Sequence, residues 1–190
     1  MTYHVYTLAD NLAIDATATV DVTVHDGVTK GLRLGGTLIT ATATEINSAC
    51  DVSSRLVNLT AATLTMSNAV HGGKTLTVNK ADGTAITLPA ATGTGTRFRI
   101  IFGTLIASNT TTITTGAGDF LAGLVLAARQ SSGLVTAFML DGSSNHILTF
   151  NGTTQGGTVG DEIILEDIAT NLWACQVRMQ TVGASSSPVT

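Results

Sequence analysis

Charge is scarce in this chain. Asp, Glu, Lys and Arg make up 12% of its 190 residues, about half the share usual in globular proteins. The net charge is −4 and no basic run occurs, so a nucleic-acid partner, which needs a basic face, is not expected. A surface this poor in charge has little colloidal repulsion, and it is best accounted for if other subunits cover much of it. Cysteine is almost absent. Cys50 and Cys175 stand alone, which excludes a disulfide framework and a clustered zinc site and predicts two reduced thiols. Aromatics are few, with one Trp and two Tyr, Tyr3 and Tyr6; this weighs against a sugar-binding groove. No apolar run exceeds Phe120 to Ala128, far short of the roughly 20 residues of a membrane helix. The opening MTYHVYTLAD has no basic stretch followed by an apolar core, so no signal peptide is expected. Together these absences predict a soluble protein made in a cytoplasm.

Threonine, valine and glycine are what the chain has instead, a composition that favours β-structure. The clearest stretch is KTLTVNKADGTAITLP, Lys74 to Pro89. Leu76 and Val78 alternate with threonines, and Ile86 and Leu88 resume the alternation after Asp82-Gly83. Period two marks half-buried strands, and Asp-Gly between two such runs predicts a hairpin. A two-residue turn would set Val78 opposite Thr87. A three-residue loop with Gly83 left-handed sets Val78 opposite Ile86, and the match of faces selects it.

Four segments follow from the pattern. Residues 1–41 read as an extended N-terminal arm. Val20, Val22 and Val24 alternate with polar residues, and Leu32 and Leu34 flank Arg33, too little apolar area to close a core. Tyr3 and Tyr6 are natural anchors for docking into a neighbour. Residues 42–55 read as a short helical joint, with Thr42 and Glu45 as a capping box and Ile46, Ala49 and Cys50 on one face. Residues 56–183 carry roughly ten short strands separated by turn signals, which predicts an antiparallel β-sandwich, jelly-roll-like, as the body. Asp119 to Ala128 is apolar enough to be buried on both faces. The last residues, 184–190, read as a flexible tail.

Chemistry is hard to find. His4, His25, His71 and His146 have no neighbouring ligand at metal spacing and read as incidental. The densest acids, Asp161-Glu162 and Glu166-Asp167, alternate between opposite strand faces, so neither pair shares a pocket as catalytic carboxylates must. A solvated strand edge is the expectation for them. No nucleophile elbow, phosphate loop or dinucleotide fingerprint occurs. The expectation is a protein that is not an enzyme and needs no cofactor or metal.

Three runs carry a resemblance. They are HDGVTKGLRLGGTLITATATEINSACDVSSRLVNLTAATLTM, HGGKTLTVNKADGTAITLPAATGTG, and the stretch from Thr149-Phe150-Asn151-Gly152-Thr153-Thr154 through Asp161 to Trp173. In this order they resemble a family of tailed-bacteriophage virion proteins similar to head decoration, or cement, proteins. The match extends from about Val24 to Val177. It departs at His71-Gly72-Gly73, where the family often has an acid, and in having no aromatic but Trp173 on the last strand.

The resemblance implies a structural protein on the capsid exterior, made in the bacterial host, that bridges and stabilises subunits of the major capsid protein. It implies self-association, often as a trimer; the charge and the run lengths above add the expectation of no nucleic-acid or membrane partner. Related segments occur in tail fibres, so a receptor-binding module of the tail is the alternative. The arm residues Tyr3, Tyr6, Val20, Val22, Val24, Leu32 and Leu34 are then the candidate capsid contacts, adding a strand along a neighbour's open edge.

Overall fold

The computed structural model describes residues 33–34, 37–41, 46 and 55–190. The chain divides into two units, Met1–Asp51 and Val52–Thr190. In the first, β1 (Arg33–Leu34) and β2 (Thr37–Leu38) pair antiparallel, with Leu34 opposite Thr37. Ile46 is helical, and the rest of the predicted 42–55 joint lies outside the described residues apart from Arg55.

The second unit is mostly β. It begins with β3 (Leu56–Leu59), β4 (Thr63–Thr65) and a one-turn helix α1 (Asn68–His71). Next come β5 (Thr75–Val78), β6 (Ala85–Thr87), β7 (Arg97–Phe102) and β8 (Thr111–Thr114). The chain continues with β9 (Phe120–Arg129), β10 (Val135–Asp141) and β11 (Ile147–Phe150). It finishes with β12 (Glu162–Ala169) and β13 (Leu172–Thr181). Among the described residues, a seven-stranded sheet has the order β10-β9-β13-β12-β7-β5-β3, and a four-stranded sheet has the order β11-β8-β6-β4.

The path from β3 to β8 corrects the antiparallel expectation. Successive strands alternate between the sheets, so β3, β5 and β7 lie parallel in one and β4, β6 and β8 parallel in the other. Parallel neighbours need a crossover, commonly a helix; here a strand of the opposite sheet serves. The predicted hairpin is therefore absent. β5 bonds to β3 and β7, and β6 bonds to β4 and β8. Gly83 is left-handed as expected, at φ 79°, but its turn carries the chain from one sheet to the other. Period-two alternation fixes which face is buried, and Leu76, Val78, Ile86 and Leu88 are all buried. It does not fix which neighbour receives the backbone hydrogen bonds.

Antiparallel pairing enters later. β9 pairs with β10, β12 with both β7 and β13, and β11 with β8, while β9 and β13 run parallel. Both sheets feed one core. Phe102 of the large sheet meets Phe150 of the small one at 5.1 Å between ring centroids, and Phe98 meets Trp173 at 5.6 Å. Each large apolar side chain so buried stabilises the fold by about 1.5–3 kcal/mol.

The C-terminal residues are a second correction. They were expected to fray, yet Thr190 exchanges backbone hydrogen bonds with Ile147, and the N–H of Thr149 donates to the carbonyl of Pro188 at 2.7 Å. Val189 bridges Leu148. The segment covers the edge that β11 would otherwise leave open, and the polar run ASSS at 184–187 hid this from the pattern.

Candidate functional site

The acids that drew notice in the sequence hold loops. Asp167 faces inward on β12 and is fully buried, whereas Glu166 is exposed. Its carboxylate accepts the N–H groups of Thr92 (3.0 Å), Gly93 (2.7 Å) and Thr94 (3.0 Å) and the Thr94 hydroxyl (2.7 Å). Burial pushes this carboxyl up, but the donors from Thr94, Gly93 and Thr92 outweigh it and hold the pKa at about 2. The turn after β6 is thereby clasped to a strand some 70 residues later in the chain, at separations of 73 to 75.

Asp161 does the same for the next loop. Its two oxygens accept Gly157 N–H (2.8 Å), Thr158 N–H (3.0 Å), the Thr158 hydroxyl (2.9 Å) and Gln180 N–H (2.8 Å). Burial raises this carboxyl above the usual aspartate value despite those donors. Asp119 is buried as well, and accepts the N–H of Ala91 at 2.8 Å. The expected solvated acidic edge is thus corrected: of the four clustered acids, the two aspartates are internal clasps. Glu162 instead takes Arg99 at 2.6 Å and Arg178 at 3.4 Å on the outer face.

The histidines that read as incidental also have structural partners. Nδ1 of His71 accepts the Ser67 N–H at 3.0 Å and closes α1. Nδ1 of His146 donates to the carbonyl of Asp119 at 2.7 Å, and its ring lies 4.7 Å from Phe120. Cys175 is free and buried, its thiol pushed up to about 12 by desolvation, which leaves it inert at neutral pH. Among the described residues no group of three or more His, Cys, Asp or Glu could hold a metal ion.

What remains is surface. A shallow hollow on the outer face of the large sheet is lined by Gly73, Lys74, Thr75, Arg97, Arg99 and Ile164. It gathers three cations, one of them already paired with Glu162. At the other end of that sheet the outer face turns apolar. Leu126, Val135 and Met139 are exposed, Met139 by 74%, and Leu134 just before β10 is exposed by 63%. This corrects the expectation that Asp119 to Ala128 is buried on both faces. Leu121, Val125 and Ala127 point into the core, while Leu124 is half-buried and Leu126 is open to solvent.

The arm residues proposed as capsid contacts belong to the first unit. Tyr3, Tyr6, Val20, Val22, Val24 and Leu32 lie outside the described residues, and Leu34 sits in β1. The β9–β10 face was missed because unbroken apolarity reads as two-sided burial. The signal that could have found it is the absence of any charged residue from Leu134 to Leu140 beside a β9 whose one charge, Arg129, is its last residue. No protein-family model matches the chain, and no curated protein matches it.

Proposed function

We propose that this chain is a structural protein of a tailed-phage virion that binds the exterior of the assembled head and stabilises it by bridging capsid subunits. The observation that carries this reading is where the resembling segments meet. The ATGTG turn at 91–95 and the LEDIA stretch at 165–169 are far apart in sequence, yet they join at the Asp167 clasp. The GGTVGD stretch at 156–161 forms the Asp161 clasp. The resembling residues thus support one locked frame, the kind of body a lattice-bound protein needs. Two sheets feeding one core support reading that body as a β-sandwich of mixed strand direction.

In this reading the body supplies a rigid block, and the arm contributes strand addition and the two tyrosine anchors against the major capsid protein. Copies of the chain associate with one another on the lattice. A chain shortened to begin at Thr40 keeps the body and should stay folded, but should bind heads much more weakly. Losing about 3 kcal/mol per copy costs on the order of 100-fold in affinity, and more where several copies engage together. Sedimentation with heads lacking the protein measures this, and equal occupancy by the intact and shortened chains would remove the arm from the mechanism.

A tail-fibre module is the second reading. The parallel winding of β3 to β8 between two sheets favours it, since solenoid-like fibres use such coils. Copy number separates the two, because a decoration protein covers the head and a fibre protein occurs at one vertex.

A further inference from the structure

The open edge of β10 is built to pair with its own copy. Along this strand the N–H of Arg129 donates to the carbonyl of Leu134 and the N–H of Gly142 to that of Leu121. Period two between these bonds turns the backbone of Thr136, Phe138 and Leu140 towards β9 and that of Val135, Ala137 and Met139 towards the open side. Asp141 ends the row, because its N–H is already taken by Asn145 Oδ1 at 2.9 Å. β10 is the terminal strand of its sheet, so three residues present unpaired backbone groups, flanked by an apolar face. Such an edge invites another strand.

We infer that two copies of this chain associate about a two-fold axis at Ala137, with their β10 strands antiparallel. This register sets Ala137 opposite itself and Val135 opposite Met139 of the second copy, and so uses every unpaired group in the row. Charge also selects a second copy as the occupant. The strand carries no charge from Leu134 to Leu140, and the axis places Asp141 opposite Gly133 rather than another acid. The arm fits less well, because residues 1–29 contain Asp10, Asp15, Asp21 and Asp26 and no Lys or Arg, while this strand has no cation to meet them. Shape agrees with charge. Val135 neighbours Ala128 across the β9–β10 pair, and a hollow lies beside them, lined by Leu126 and Met179 with Arg178 at its far side. The register brings Met139, the most exposed large apolar side chain among the described residues, from the second copy to the rim of that hollow.

The register is testable by cross-linking the full-length chain. Directly opposed residues in a hydrogen-bonded antiparallel pair lie about 5.5 Å apart at Cα, within the span of a disulfide. In a Cys50→Ser background, Ala137→Cys should form a covalent dimer on mild oxidation. Val135→Cys and Met139→Cys should each remain uncrosslinked alone and should link when mixed. Separately, wild type should sediment as a dimer, and Met139→Lys, a surface change that leaves the core intact, should sediment as a monomer with an unchanged circular-dichroism spectrum. A wild-type monomer at all concentrations, a trimer, a Met139→Lys dimer, or equal cross-linking at 135, 137 and 139 would overturn the proposal. Because no head is present in these experiments, their failure leaves the virion reading to its own test.

Discussion

At Asp167 one carboxylate gathers the N–H groups of three successive residues, Thr92 to Thr94. Its folded pKa of about 2 lies below the ordinary 3.8. The stability it contributes is therefore complete above pH 4 and is lost as pH falls towards 2. The shift corresponds to about 2 kcal/mol. Asp161 has the opposite sign. Its raised pKa favours the fold below the unfolded value, and that contribution is lost as pH rises through the folded value, so it cannot drive acid unfolding. We predict that Asp167→Asn lowers stability by about 1–3 kcal/mol at pH 7, since an amide leaves N–H donors facing its own NH₂. Denaturant melts of the variant should also show a weaker pH dependence between 4 and 2 than wild type. An unchanged midpoint at pH 7 would mean the clasp is ornamental.

Glycines 83 and 133 differ in what surrounds them. Both are left-handed, at φ 79° and 68°. A Cβ at Gly83 would run into the backbone carbonyl of Thr110, whereas one at Gly133 would meet open space. Alanine at Gly133 should cost only the backbone strain, about 1 kcal/mol. Alanine at Gly83 should cost at least a further 1–2 kcal/mol for displaced backbone. Equal melting midpoints for the two variants would show that the 82–84 turn does not pack on Thr110.

Among the elements, β5 and β6 show what alternation can and cannot reveal. The buried positions Leu76, Val78, Ile86 and Leu88 were legible, as was the left-handed Gly83, because both depend on local chemistry. The partner strands were not legible, because a turn that folds back within one sheet and a turn that crosses to the other bury the same residues. We predict nuclear Overhauser contacts between the backbones of Leu76 and Ile100, which are register partners, and none between the backbones of Val78 and Ile86. Finding the second set would restore the hairpin. The same limit explains the other differences. Asp161 and Asp167 were correctly assigned to the faces opposite Glu162 and Glu166. Their clasping role depends on donors at 92–94 and 157–158, and no spacing rule brings those segments together. The tail was misread because its hydrogen bonds to β11 are made by backbone, which composition does not report.

For the molecule as a whole, the second unit is a frame in which buried Asp161 and Asp167 and the C-terminal segment tie loops to strands. Its outer face is divided between a basic hollow and an uncharged apolar edge. A frame with exposed edges and internally engaged polar groups suits a role in assembly, and the low charge of the chain fits a surface covered by neighbours. In the function proposed above, those neighbours are capsid subunits and further copies of this chain on the head exterior. The most direct measurement is imaging of heads that lack the protein, before and after its addition, with averaging over the icosahedral lattice. New density of the size of this chain, repeated over the outer surface at equivalent lattice positions, is expected. Density confined to the tail or to a single vertex, or heads unchanged at saturating protein, would contradict it.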